Sequence, residues 1–171
     1  NCMRDWFNDS SVKYWNRGSP STFSTNLIGS LSGSNKWLGG VLAPNGKIYG
    51  IPCYSPSILE FDPISQSTNL IGSLSGSYKW AGGVLAPNGK IYGIPFNSSA
   101  ILEFDPISQS TNLIGSFGGS RKWQSGVLAP NGKIYGMSFD SSSILEIDTG
   151  TVLSNEKQPV EWICSPYVNK L

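Results

Sequence analysis

The chain of 171 residues repeats itself three times at a fixed interval of 43 residues. Trp37, Trp80 and Trp123 mark the period, as do Asn45, Asn88 and Asn131. The units run over 24–66, 67–109 and 110–152 without insertion or deletion, and the first two are identical at 37 of 43 positions. A head (1–23) and a tail (153–171) lie outside; together they hold 42 residues, one short of a further unit. A unit this small cannot bury its own apolar faces, so it must be stacked on copies of itself.

Within a unit the pattern is of strands. Leu38–Leu42 leads into Ala43-Pro44-Asn45-Gly46, where Asn-Gly is expected to supply the positive φ angles of a tight hairpin. Lys47–Ile51 follows, and the Pro/Ser-rich run from Pro52 to Ser57 makes the second turn. Ile58–Asp62 alternates with period two, Leu59 and Phe61 on one face and Ile58, Glu60 and Asp62 on the other. Asp62-Pro63 opens the third turn, and Thr68–Leu74 is the fourth strand. Helical spacing and helix caps are missing throughout.

Four short antiparallel strands in a unit of roughly 40–45 residues predict an all-β fold, the β-propeller, with each unit one blade. A β-solenoid is the rival, but its repeats are usually shorter and have few hairpin turns. The expectation is a single propeller domain over 1–171 with three full blades. The head and tail either pair into a composite fourth blade that closes the ring, or the three units belong to a larger ring completed by other sequence or another chain.

The run Gly40-Val41-Leu42-Ala43-Pro44-Asn45-Gly46-Lys47-Ile48-Tyr49, followed by Ile58-Leu59-Glu60-Phe61-Asp62-Pro63, resembles the NHL class of propeller repeat. The resemblance covers most of each unit and implies the propeller architecture. It departs from the class at two places. Pro52, Pro95 or Ser138 stands where the class has an acidic residue, and Ser57, Ala100 or Ser143 where it has an arginine. The positively charged face that some NHL domains use for RNA is therefore not expected here. The acidic and histidine metal set of related propeller hydrolases and lyases is not found either.

Composition narrows the function. Charged residues make up 13% of the chain, against roughly 25% in soluble globular proteins, and the net charge is +1. Neutralising a phosphate backbone needs many cations, so no nucleic-acid partner is expected. Uncharged stretches are broken by Gly, Ser, Asn and Pro, so no membrane insertion is expected. There is no histidine, which removes the commonest general base and metal ligand. The expectation is a protein that is not an enzyme, with no catalytic residues, cofactor or metal.

Cys2 and Cys164 lie near the two ends, which a ring would bring together. A disulfide between them would act as a clasp, and closing so long a loop contributes about 5 kcal/mol in the chain-entropy model. Cys53 occupies the place of Phe96 and Phe139, which predicts a buried thiol. N-glycosylation sequons at Asn8-Asp9-Ser10 and Asn97-Ser98-Ser99, with the terminal cysteines, favour an extracellular or cell-surface protein.

The first two units differ only at Asn35/Tyr78, Leu38/Ala81, Cys53/Phe96, Tyr54/Asn97, Pro56/Ser99 and Ser57/Ala100. All six positions fall in or beside the loops that lead into the first strand and join strands two and three, which share one rim of a blade. That rim is read either as a recognition surface or as loops that drifted after a recent duplication because they tolerate change. Trp37, Trp80 and Trp123 could stack on sugar rings there, beside Lys36, Lys79 and Lys122, while Asn35, Tyr54, Tyr78, Asn97 and Arg121 bond hydroxyls. The competing reading wedges each indole between blades with its N–H on backbone. Tyr49, Tyr92 and Tyr135 are expected in the inter-blade core. Glu60, Glu103 and Glu146, with Asp62, Asp105 and Asp148, are expected on a solvated face and in turn capping. Two functions follow as expectations: a binding module for glycans or another surface ligand, or a structural subunit of a surface layer or fibre that associates with itself.

Overall fold

A computed structural model describes residues 23–150. The first blade holds β1 (Trp37–Leu42), β2 (Ile48–Pro52), β3 (Ile58–Asp62) and β4 (Ser67–Ile71). The second holds β5 (Trp80–Leu85), β6 (Ile91–Pro95), β7 (Ile101–Asp105) and β8 (Ser110–Ile114). The third has three strands among the described residues, β9 (Trp123–Leu128), β10 (Ile134–Ser138) and β11 (Leu145–Ile147). Strands pair antiparallel in chain order within each blade.

Two expectations are corrected, the end of the fourth strand and the φ angles of the hairpin. A structural blade is offset from the 43-residue unit, because β4 and β8 come from the start of the following unit, where they find β3 and β7 as partners. The described residues hold two four-stranded sheets and one three-stranded sheet that do not by themselves close a ring; the segment 153–157, which by the repeat would give the third sheet its fourth strand, lies outside them. The fourth strand stops at Ile71, not Leu74, because Gly72 takes φ +80 and turns the chain out of the sheet. In the hairpin, only Gly46 has positive φ (+79). Gly46 N–H donates to Ala43 O at 3.0 Å and Ala43 N–H to Lys47 O at 2.9 Å. Asn45 works through its side chain: Oδ1 accepts from Lys47 N–H at 3.1 Å and Nδ2 donates to the Tyr49 hydroxyl at 2.9 Å.

Blades stack through their first strands, β1 against β5 against β9, with β2 touching β5 and β6 touching β9. The core lies between blades. Val41, Tyr49, Ile51 and Ile58 of the first meet Trp80, Ile91, Leu102 and Phe104 of the second in one cluster. Val84, Tyr92 and Ile94 meet Trp123, Ile134 and Leu145 in the next. Glycine makes this approach possible: a Cβ on Gly83 would stand 2.7 Å from Ile51 Cδ1, and one on Gly126 2.6 Å from Ile94 Cδ1. Both faces of the middle sheet are thus covered, which is why Ile101, Leu102 and Phe104 are all buried although they alternate along β7.

The composite fourth blade, the Cys2–Cys164 clasp and the Asn8 sequon lie outside the described residues.

Candidate functional site

The loops expected to share a rim do so through backbone hydrogen bonds. Cys53 and Ser55 N–H donate to Lys36 O at 2.9 and 3.0 Å, and Tyr54 N–H donates to Asn35 O at 3.2 Å. The same links recur in the second blade from Phe96, Asn97 and Ser98. Asn35, Tyr78 and Arg121 occupy one position in the three blades and all hold positive φ, 48, 47 and 52. Asparagine tolerates this region, but tyrosine and arginine adopt it rarely.

From that position runs a row of rings along the rim. Tyr54 and Tyr78 meet edge to face with centroids 4.2 Å apart, Tyr78 lies 6.2 Å from Phe96, and Phe96 lies 5.6 Å from Phe139. Arg121 closes the row, its guanidinium 4.9 Å from the Phe139 ring and its Nε 3.0 Å from Asp140. Tyr54, Tyr78, Phe139, Asn97 and Arg121 are exposed. Beside the row an open cleft of about 470 Å³ is lined by Phe117, Gly119, Trp123, Asp140 and Ser142, among others. Phe117 and Asp140 are residues peculiar to the third unit, where the first two have Leu31 and Leu74, Tyr54 and Asn97.

Asn97 accepts Arg121 N–H on Oδ1 at 2.8 Å. Its side-chain nitrogen is the sequon's acceptor atom, so a glycan there would occupy the same rim.

The Lys-Trp pairs are placed elsewhere. Trp80 and Trp123 are 2% and 7% exposed, and Trp37 is half-buried. Each indole N–H donates to a carbonyl of its own blade, Ser57, Ala100 or Ser143, at 2.7–2.8 Å. Trp80 and Trp123 fill the space between sheets and leave little of either ring to solvent. Lys79 and Lys122 are buried as well. Lys79 Nζ donates to Cys53 O (3.0 Å), Ser55 O (2.9 Å) and Gly76 O (3.0 Å), so it ties the second blade to the first. Lys122 repeats this on Phe96, Ser98 and Gly119 carbonyls. Burial pushes both ammonium groups below their ordinary 10.5. Lys36 has no such partners and donates to Leu31 and Gly33 in its own loop. Sequence reasoning missed this clasp; the signal was that Lys-Trp is kept in all three units while its neighbours vary.

The glutamates of the first two blades also depart from expectation. Glu60 is buried rather than solvated, bonded to Lys47 Nζ at 2.9 Å, the Tyr49 hydroxyl at 3.0 Å and Gln109 Nε2 at 3.1 Å. Glu103 repeats the first two with Lys90 and Tyr92. Glu146 keeps Lys133 and Tyr135 but is exposed. Asp62 and Asp105 do cap their turns, on Ile64 and Ser65 N–H and on Ile107 and Ser108 N–H. Tyr49 and Tyr92 are buried at blade contacts as expected; Tyr135 is half-buried.

Burial raises the Glu60 and Glu103 carboxyls, but the lysine and tyrosine hydrogen bonds outweigh it and hold both below 4.5. A carboxylate whose folded pKa is depressed adds stability that is present above its unfolded value and lost as pH falls through the folded one. Urea midpoints should therefore drop as pH falls below the ordinary carboxylate range, and Glu60→Gln should flatten that drop. Equal pH dependence in both proteins would refute the assignment. Cys53 is a free, buried thiol pushed upward by burial. Among the described residues no group of three His, Cys, Asp or Glu could hold a metal ion, and no helix is long and apolar enough to cross a membrane.

This architecture defines a β-propeller-like repeat protein, and solved structures share it. Virginiamycin B lyase from Staphylococcus aureus matches with TM-score 0.56 at 11% identity, over 71% of this chain and 44% of that one. The extracellular domain of a hybrid two-component system from B. thetaiotaomicron matches at 0.53 and 15%, over 66% and 15%. An auxiliary nutrient binding protein from Bacteroides ovatus matches at 0.51 and 20%, over 69% and 29%. The likeness is one of fold, and this chain spans less than half the length of each. No family model and no curated protein matches the chain.

Proposed function

We propose that this is a non-enzymatic, extracellular or cell-surface binding module that takes a carbohydrate ligand along the aromatic rim. The observation that carries the reading is the row Tyr54–Tyr78–Phe96–Phe139, exposed at every ring but the half-buried Phe96 and flanked by Asn97, Arg121 and Asp140. Aromatic faces pack on the C–H face of a sugar while amide, guanidinium and carboxylate groups satisfy its hydroxyls. Side chains that vary between otherwise near-identical units are gathered on this rim, and two of them, Tyr78 and Arg121, keep a backbone conformation that glycine would adopt more readily.

Support for the extracellular placement comes from two fold neighbours, an extracellular domain and a nutrient-binding protein. A lyase with this fold has a catalytically inactive His-to-Ala variant, and the present chain contains no histidine at all. That contrast favours binding over catalysis.

A glycan array probed with the intact chain should give signal that Tyr78→Ser and Arg121→Ala each reduce at least tenfold. Trp80→Ala is the wrong probe, because that indole is buried. No binding across a broad array, or binding indifferent to both rim substitutions, refutes the carbohydrate reading.

A further inference from the structure

The contact between neighbouring blades is built twice within this chain, and its two halves recur on the opposite end faces of the array. At each internal contact one blade supplies a knob and the next a socket. Ile51 and Val41 of the first blade meet Gly83 of the second; Ile94 and Val84 of the second meet Gly126 of the third. These four knobs are 0–8% exposed. Their counterparts on the third blade, Met137 and Val127, are 37% and 54% exposed. The matching socket on the first blade is Gly40, also exposed, where a Cβ would meet only Ile48 Cγ2 of its own blade at 3.4 Å.

Polar partners repeat the same asymmetry. Lys79 and Lys122 each reach back to two carbonyls of the preceding blade. Lys36 holds the equivalent place on the first blade but bonds only its own loop. The carbonyls that would complete its set by the repeat belong to Phe139 and Ser141, at the far end. Gln109 of the second blade donates to Glu60 of the first. Gln66 and the exposed Glu146 stand in those two places at the ends.

We infer that a second copy of this chain docks head to tail, its Gly40 face receiving Met137 and Val127 as Gly83 receives Ile51 and Val41. Lys36 of the incoming copy turns from Leu31 O to Phe139 and Ser141 O, and Gln66 reaches Glu146. The unbranched methionine side chain fills a glycine socket as readily as isoleucine does. Because the two faces differ, the contact is heterologous: it ends in a ring if the rotation closes and in an open stack if it does not. This gives the assembly alternative a specific contact, and it is independent of whether the rim binds sugar.

Sedimentation velocity of the intact chain, from low micromolar to near-millimolar concentration, should show concentration-dependent association. Met137→Glu spoils one face and Gly40→Val the other, and each protein alone should sediment as a monomer with unchanged circular dichroism. Mixed, they retain one good face each and should form a one-to-one dimer that grows no further. A fixed larger species in the parent protein marks closure and continuous growth marks a stack; either supports the contact. A parent protein that stays monomeric throughout, its end faces bare or covered from within the chain, overturns it. So does an oligomer that persists in both single variants.

Discussion

Gly83→Val is expected to lower the free energy of unfolding by about 3 kcal/mol, among the largest effects available from a single added side chain in this protein. The backbone is not the obstacle, since Gly83 does not hold positive φ, and valine is a good strand former. The obstacle is the neighbouring blade. The added Cβ would lie 2.7 and 2.8 Å from Ile51 Cδ1 and Cγ1 and 3.3 Å from Val41 Cγ2, where carbon atoms pack at roughly 3.5–4.0 Å. Ile51 is buried and has no room to swing away. Ile51→Ala alone removes core volume and should cost about 2–5 kcal/mol. Combined, the new methyls occupy the space that Ile51 vacates, so the double variant should lose at least about 1 kcal/mol less than the sum of the singles. Denaturant unfolding of the four proteins measures this coupling. Strict additivity would mean that the two residues do not meet.

The strands were legible because their residues carry a local pattern, and the errors fall where pairing or burial decided the outcome. The pentapeptide Ser-Thr-Asn-Leu-Ile occurs three times. At 67–71 and 110–114 it forms β4 and β8, against Ile58–Asp62 and Ile101–Asp105. At 24–28 it pairs with no strand among the described residues and forms none itself, and Leu27 is 97% exposed. The same five residues are a strand only with a partner, which β-propensity alone cannot express. Glu60 was misplaced for a related reason. Period-two alternation says which residues share a face, but not that another blade covers that face and that Lys47 and Tyr49 lie within reach. The rim was located correctly from loop adjacency, and the reading that wedges indoles between blades holds for Trp80 and Trp123, but the burial of Lys79 and Lys122 beside them was not foreseen. A Lys-Trp pair in a loop looks like surface until the preceding blade is laid over it. Invariance of that pair across units whose neighbours change was the available clue, since packing at a repeated contact constrains every copy alike.

Lys79→Met should destabilise the chain by about 2–3 kcal/mol, whereas Lys36→Met should change stability by less than about 0.5 kcal/mol. Methionine keeps most of the aliphatic stem, so the comparison isolates the ammonium group. Its three hydrogens are all used between blades or within its own loop. Cys53 O retains a donor when they are lost, because Lys79 N–H also bonds it at 3.1 Å. Ser55 O and Gly76 O would lose the Lys79 donor, and of the two Gly76 sits where water can replace it. The penalty therefore falls chiefly on the half-buried Ser55 carbonyl and on the lost charge-assisted bonds, each worth about 1.5–3 kcal/mol. Lys36 makes bonds only within its own exposed loop, and solvent takes them over. Lys122→Met should follow Lys79→Met, since it closes the next contact with the same geometry. If Lys36→Met in the free monomer destabilised as much as Lys79→Met, the ammonium would be acting within its loop, and the lysines would not be what ties one blade to the next.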